Sequence, residues 1–206
     1  MDKLAEAADA CKRGLALDST NAPLKTLQTK VETRQKYIAS VEKTRREREE
    51  KVRSERATLN LALKSRNIKT RSTAQPPDLE GSETKLENPM DPSSGLSFPV
   101  ILLYPTDSQS DFIKAFNEQE KLGQHLDYIF PLPWDVKHEY TTDNVEAYME
   151  TTAGGLIKVG KKMSLWKVLG SGKTEVVDGL VRINVVPKHK TADWIEEVKK
   201  RRGKIA

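Results

Sequence analysis

Gly170-Ser171-Gly172-Lys173-Thr174 is the stretch closest to a phosphate-binding loop. Such a loop cradles phosphate on backbone N–H groups converging at a helix N-terminus, with a further glycine upstream. That glycine would stand at position 167, which is Lys167, and Glu175-Val176-Val177 reads as strand. The spacing therefore predicts a hairpin turn and no nucleotide site. His138 lies between Asp135 and Glu139, a set that could move a proton, but no nucleophile accompanies it, and a surface or capping role is the favoured reading. His125, His138 and His189 share no metal-ligand spacing. Cys11 is the single cysteine, which excludes a disulfide framework and a multi-cysteine zinc site, and it reads as a small core residue. Asp127, Asp135, Glu139, Asp143, Glu146 and Glu150 lack the register of a calcium loop. They fit a solvated acidic face or a partner surface. No catalytic, cofactor-binding or metal-ligating residue is predicted, and the chain is read as non-enzymatic.

Phe130-Pro131-Leu132-Pro133-Trp134-Asp135 is the most unusual short stretch. Two prolines stiffen it, and Trp134 sets a large apolar area beside a carboxylate. Two readings stay open: Trp134 packs under its own loop, or it is an exposed anchor for a partner protein. On the second reading the candidate partner-binding residues are Pro131, Pro133, Trp134, Asp135 and His138.

The elements that must position these residues follow from periodicity. Leu4, Ala7, Ala8, Cys11, Leu15 and Leu17 recur at helical spacing, and Asp18-Ser19-Thr20-Asn21 ends that helix. Asn21 is the expected N-cap of a second helix, with Pro23 in its first turn. That helix runs from Ala22 to about Lys64 on a roughly heptad stripe, interrupted between Val41 and Val52 by Arg45 and Arg48. In Glu42–Arg56, 12 of 15 residues are charged, which suits a solvated spacer helix rather than a continuous coiled coil. At 1.5 Å per residue it would span ~65 Å. Residues 66–95, with Pro76-Pro77 and Asn88-Pro89, read as an acidic linker that wraps or tethers. From 96 the pattern predicts a strand at 98–104, a helix from Asp107 or Ser108 to Leu122 capped by Gly123, and a short apolar segment at 128–130. A second helix from Thr142 or Asp143 through Met149, a short strand or turn at 156–159, strands at 164–169, 175–177 and 180–186, and a helix at 192–202 follow. The strand at 180–186 reads as half exposed or near an edge. The fold class is α+β: a long N-terminal helical segment, 1–65, then a mainly antiparallel sheet with flanking helices, 96–206.

Hydrophobic residues make up 36% and charged residues 32%, so a single core through all 206 residues is not expected. No run reaches the ~18 apolar residues of a membrane span, and a reduced, cytoplasmic or nuclear setting fits the cysteine usage. The net charge of +5 conceals +8 over 1–71, −11 over 72–150 and +8 over 151–206. The acidic middle would repel phosphate, which makes nucleic acid an unfavoured partner. A ribosome- or RNA-binding module using the basic helix is the alternative reading.

Ala7-x3-Cys11-x2-Gly14-Leu15-Ala16-Leu17-Asp18-Ser19-x-Asn21 resembles the second half of a degraded tetratricopeptide repeat. Followed in order by a long charged helix, Phe98-Pro99-Val100-Ile101-Leu102-Leu103-Tyr104-Pro105, Phe130–Asp135 and Val177–Ile183, it resembles the C-terminal half of the cyclophilin-seven-suppressor / tetratricopeptide repeat protein 4 co-chaperones. Their C-terminal unit is called the wheel domain. The resemblance implies a protein-interaction adaptor for heat-shock protein 90 and heat-shock protein 70, contacting clients such as translation elongation factor 2. It also implies a piece of a longer protein whose N-terminal repeats, with their carboxylate-clamping Lys, Asn and Arg residues, are missing here. No clamp residue is carried over, and weak binding to chaperone tails is expected.

Overall fold

The computed structural model describes residues 3–79 and 81–203. The chain divides into two compact units, Met1–Glu55 and Arg56–Ala206. In the first, helix α1 (Lys3–Leu17) is followed by the start of helix α2 (Ala22–Ser65). The Asp18 carboxylate accepts Thr20 N and Oγ1 at 3.0 and 2.7 Å, and Asn21 Oδ1 accepts Leu24 N at 3.1 Å, so the break and the N-cap form as expected. Cys11 is buried with Val31. A Cβ on Gly14 would stand 2.7 Å from the Leu24 side chain, which is why that crossing carries a residue without a side chain. Along the charged stretch the pairs Glu42–Arg46, Lys43–Glu47, Arg45–Glu49 and Lys51–Glu55 follow the i,i+4 rule.

The second unit is built on a mixed sheet. Strand β8 (Val181–Pro187) runs through its centre, parallel to β3 (Leu96–Tyr104) and antiparallel to β5 (Val145–Glu150). β4 (Gln109–Asn117) and the short β2 (Lys85–Leu86) pair antiparallel with β3, and β6 (Leu156–Val159) pairs antiparallel with β5. β1 (Lys69–Arg71) and β7 (Glu175–Val177) form a separate parallel pair. Helices α3 (Leu122–Ile129), α4 (Leu165–Leu169) and α5 (Thr191–Gly203) flank these strands. The main core lies on one face of the sheet, where Phe98, Val100, Leu102, Val181, Ile183 and Val185 meet Leu122, Leu126 and Leu169. Leu59, Ala62 and Leu63 from the last turns of α2 join it.

Several expectations are corrected. Residues 109–117 are strand, not helix: Asp107-Ser108 turns the chain, with Ser108 at φ +54°, and β4 zips back onto β3. The reason for the misreading is a β-bulge. Between Phe98↔Phe116 and Val100↔Ile113, β4 carries one residue more than β3. The bulge therefore turns Ile113 and Phe116 to one face at a spacing of three, which imitates a helix, while Phe112 faces outward. Gly123 accordingly lies in the first turn of α3, with its N–H on the Lys161 carbonyl, and does not end a helix. Residues 145–150 are also strand; burial of both faces, Val145 and Ala147 toward the main core and Tyr148 toward Trp194, removes the alternation that would have revealed it. Residues 165–169 are helix, because Leu165, Val168 and Leu169 turn inward at 3–4 spacing and Trp166 outward. Finally, β8 is central and, Arg182 apart, buried on both faces.

The turn at 170–173 links α4 to β7 rather than two hairpin strands. Gly172 takes φ +67°, and a Cβ there would stand 2.7 Å from Asn67 Nδ2. Residues 66–95 wrap the sheet through β1 and β2, burying Ile68 and Leu86. Arg66 anchors this wrap: its Nε donates to both Glu118 oxygens at 3.1 and 2.9 Å, Nη1 to Pro92 O at 2.8 Å, and Nη2 to Ser94 O at 2.7 Å. Glu118, 1% exposed, also accepts Leu96 N. No buried side-chain polar atom among the described residues lacks a partner.

Candidate interaction surface

The loop between α3 and β5 carries the residues singled out in the sequence. Helix α3 ends where Phe130 N–H reaches Leu126 O, and Pro131 follows through a cis peptide. Leu132 is buried and pins the loop to the core. Trp134 packs half-buried against that core, edge-on to Tyr104 (centroids 5.2 Å) and Tyr140 (5.1 Å), which themselves meet edge-on at 5.1 Å. Each such pair contributes ~0.5–1.5 kcal/mol beyond its buried area. Asp135 is buried, and its carboxylate accepts Glu139 N at 3.1 Å and Tyr140 N at 2.7 Å, closing the turn in which His138 holds φ +52°.

The tyrosine hydroxyls complete the scaffold. Tyr104 donates to Asp111 at 2.8 Å and Tyr140 donates to Asp107 at 2.6 Å. Burial, and then these carboxylates, push both phenol pKa values far up, so both stay neutral donors. For Asp107, burial opposes ionisation, but the Tyr140 and Thr106 hydrogen bonds and the Lys190 charge outweigh it and hold the carboxyl below its ordinary range. Lys190 also pairs with Glu139 at 2.5 Å.

Of the five predicted residues, Pro131, Pro133 and His138 are exposed on one loop, while Trp134 and Asp135 are turned inward and position it. Two residues beside them escaped the sequence reading: Tyr128 is 91% exposed and Val136 85% exposed. Tyr128 falls in an apolar run, Tyr128-Ile129-Phe130, that looked like core, and no spacing marks it as the one residue of the three on the outer side of α3. Among the described residues no group of three or more His, Cys, Asp or Glu could hold a metal ion, and no helix is long and apolar enough to cross a membrane. The arrangement leaves apolar side chains and prolines exposed at the end of α3 and on the loop after it, with packed rings beneath that loop.

Comparison with known proteins agrees with this architecture. The Cns1/TTC4 Wheel domain matches residues 88–198. The chain is 42% identical to the Hsp70/Hsp90 co-chaperone cns1 of Schizosaccharomyces pombe over 151 residues, 72% of this chain and 42% of that protein. It is 31% identical to human tetratricopeptide repeat protein 4 over 183 residues, 80% of this chain and 47% of that one. The chain thus spans about half the length of the relatives it matches. The solved structure of the Hsp90 co-chaperone Cns1 from Saccharomyces cerevisiae superimposes with a TM-score of 0.85 at 27% identity, over 98% of this chain and 67% of that one. The C-domain of the same protein gives 0.66 at 31% identity, over 72% of this chain and 95% of that one. A match through more than half the sequence, on the same fold, means that this chain belongs to the Cns1/TTC4 wheel-domain family.

Proposed function

We propose that this chain is a non-catalytic co-chaperone segment acting as a protein-interaction adaptor for heat-shock protein 90 and heat-shock protein 70. Its client contact is the loop face of Tyr128, Pro131, Pro133, Val136 and His138, and translation elongation factor 2 is the client class to which it belongs. Relatives whose names describe Hsp70/Hsp90 co-chaperones support the adaptor role. One observation supports the location: Tyr128, at the end of α3, and Val136, in the loop that follows, stand almost fully in solvent on either side in sequence of two exposed prolines, and that loop is fixed from beneath by three rings. A stiff apolar face loses little entropy on docking, which is what a binding surface needs. Cytoplasmic localisation, with a nuclear fraction, goes with the same reading.

The test is capture of purified elongation factor 2 by the chain, measured against the Tyr128→Ser/Val136→Ser double variant. Both side chains are exposed, so the melting temperature is expected to stay within about 1 °C, while capture falls at least about tenfold. Equal capture by the variant removes the loop from the function. Absence of capture by the parent chain removes the client assignment.

A further inference from the structure

The segment that wraps the sheet is tied down at its start by a buried anchor and further on by a latch. At the start, Arg66 holds Glu118 and Ile68 is buried in the main core. Beyond them β1 pairs parallel with β7, from Lys69↔Glu175 to Arg71↔Val177, and Arg71 reaches Glu175 at 2.9 Å. The pairing closes at Asp178. Its N–H donates to Arg71 O at 2.8 Å, and its carboxylate accepts Thr73 N and Thr73 Oγ1 at 2.6 Å each.

This bond differs from other hydroxyl–carboxylate bonds of the chain. In Thr20–Asp18, Ser93–Asp91 and Thr106–Asp107 the partners lie one or two positions apart and brace a local turn, whereas Thr73 and Asp178 lie 105 apart. Loss of a local brace loosens one turn; loss of this bond parts two segments. The Thr73 hydrogen bonds, side chain before backbone, with the Arg182 and Arg71 charges, hold the Asp178 carboxyl below its ordinary range, so it is an anion at neutral pH.

Thr73 is also placed to be modified. Residues 71–78 are all exposed and, past Arg71, form neither helix nor strand. A protein kinase takes its substrate as an extended segment, and this stretch can enter a cleft without opening the core. Lys69 and Arg71, both exposed, precede the hydroxyl on the same segment, a charge pattern that kinases with acidic clefts select. Phosphorylation converts Oγ1 from a donor into an ester oxygen that only accepts. That oxygen would face a carboxylate oxygen at 2.6 Å with no proton between them, whichever way the phosphate turned. The phosphate adds ~1.5–2 negative charges beside Asp178, and like charge at such a position disrupts. Arg71 is engaged by Glu175; Arg182, exposed and near enough to act on Asp178, is the cation that opposes release.

We propose that Thr73 is a phosphorylation site for a kinase that recognises basic residues, and that its phosphate opens the Thr73–Asp178 latch and frees residues 70–79 from β7. In the transfer, Oγ1 attacks the γ-phosphorus of a nucleoside triphosphate and the bond from that phosphorus to the β–γ bridging oxygen breaks. The nucleoside diphosphate leaves, and the hydroxyl proton passes to the base of the kinase. The latch lies outside the loop face at 128–138 and stands independently of the client assigned there.

The probe is the catalytic subunit of cyclic-AMP-dependent protein kinase with magnesium ATP, acting on the chain. Sites are located by mass-spectrometric fragmentation and opening is followed by amide hydrogen exchange. Phosphate is expected on Thr73. The Thr73 and Asp178 amides should then exchange at least about tenfold faster, while the Ile183 amide on β8 keeps its rate. Asp178→Gly, which accepts the positive φ of this position (+56°) and removes the carboxylate, should be phosphorylated at least about fivefold faster, because the kinase acts on the opened segment. Thr73→Glu should speed exchange of the same amides without any kinase. Absence of phosphate on Thr73 in both the parent chain and Asp178→Gly would overturn the site. Phosphorylation with unchanged exchange, the result of Arg182 capturing the phosphate in place, would overturn the latch. Faster exchange of Ile183 as well would mean general unfolding and would also overturn it.

Discussion

The charged stretch of α2 and the aromatic loop at 128–140 are both exposed, and they are held in place by opposite means. In Glu42–Arg56 every ion pair joins residues four apart on one helix. Each contributes only ~0.2–0.5 kcal/mol, and salt screens it. In the loop the contacts are long in sequence: Trp134 meets Tyr104 across thirty positions, and Tyr140 reaches Asp107. Local pairing gives a stiff rod whose surface is interchangeable. Non-local ring packing gives a surface with one shape, and a binding face needs the latter. The difference also bears on the RNA-binding alternative, because Lys43, Arg45, Arg46 and Lys51 pair with glutamates along the same stretch.

The comparison can be broken most forcefully at the anchor of the second unit. Glu118→Ala leaves the mostly buried Arg66 guanidinium without its carboxylate, and Leu96 N without its acceptor. Losses of ~3–5 kcal/mol are expected in denaturant unfolding. Trp134→Ala comes next, at ~2–4 kcal/mol for a half-buried ring with two edge-on partners, together with loss of client capture. An unchanged melting temperature would mean that the ring is an anchor rather than a support. Tyr140→Phe, which keeps the ring and deletes the hydroxyl, is expected to cost ~1 kcal/mol. Acid sharpens the contrast further. Asp107 has a lowered pKa in the folded chain, so its contribution is fully present above its ordinary 3.8 and is lost as pH falls through the folded value. The melting temperature should therefore drop more steeply below that pH in the parent chain than in Asp107→Asn. The smallest effect belongs to the helix: Glu49→Gln should change stability by no more than ~0.5 kcal/mol, and by less at high salt.

Helices whose caps and periodicity are local were legible before any coordinates. The N-cap of α2, its length and the existence of α5 all follow from neighbours within four residues. The wheel domain was legible as a family pattern and as α+β, but not strand by strand. The bulge in β4 gave a strand a helical spacing, and burial on both faces of β5 erased its alternation. In the candidate surface the prolines and His138 could be read directly, since stiffness and polarity are properties of the residues themselves. That Trp134 turns in while Tyr128 and Val136 turn out could not, because it depends on where β3 delivers Tyr104.

By itself, then, the sequence determined the long capped helix and the alternation of basic and acidic segments. Each is written in residue type or short-range spacing. Only the tertiary structure decided that Arg66 binds Glu118 and that β8 runs through the centre of the sheet. Those facts join residues far apart in the sequence, 52 positions for Arg66 and Glu118, and a pairing at that range is settled by which arrangement buries the most apolar surface with its polar groups matched, not by any local preference.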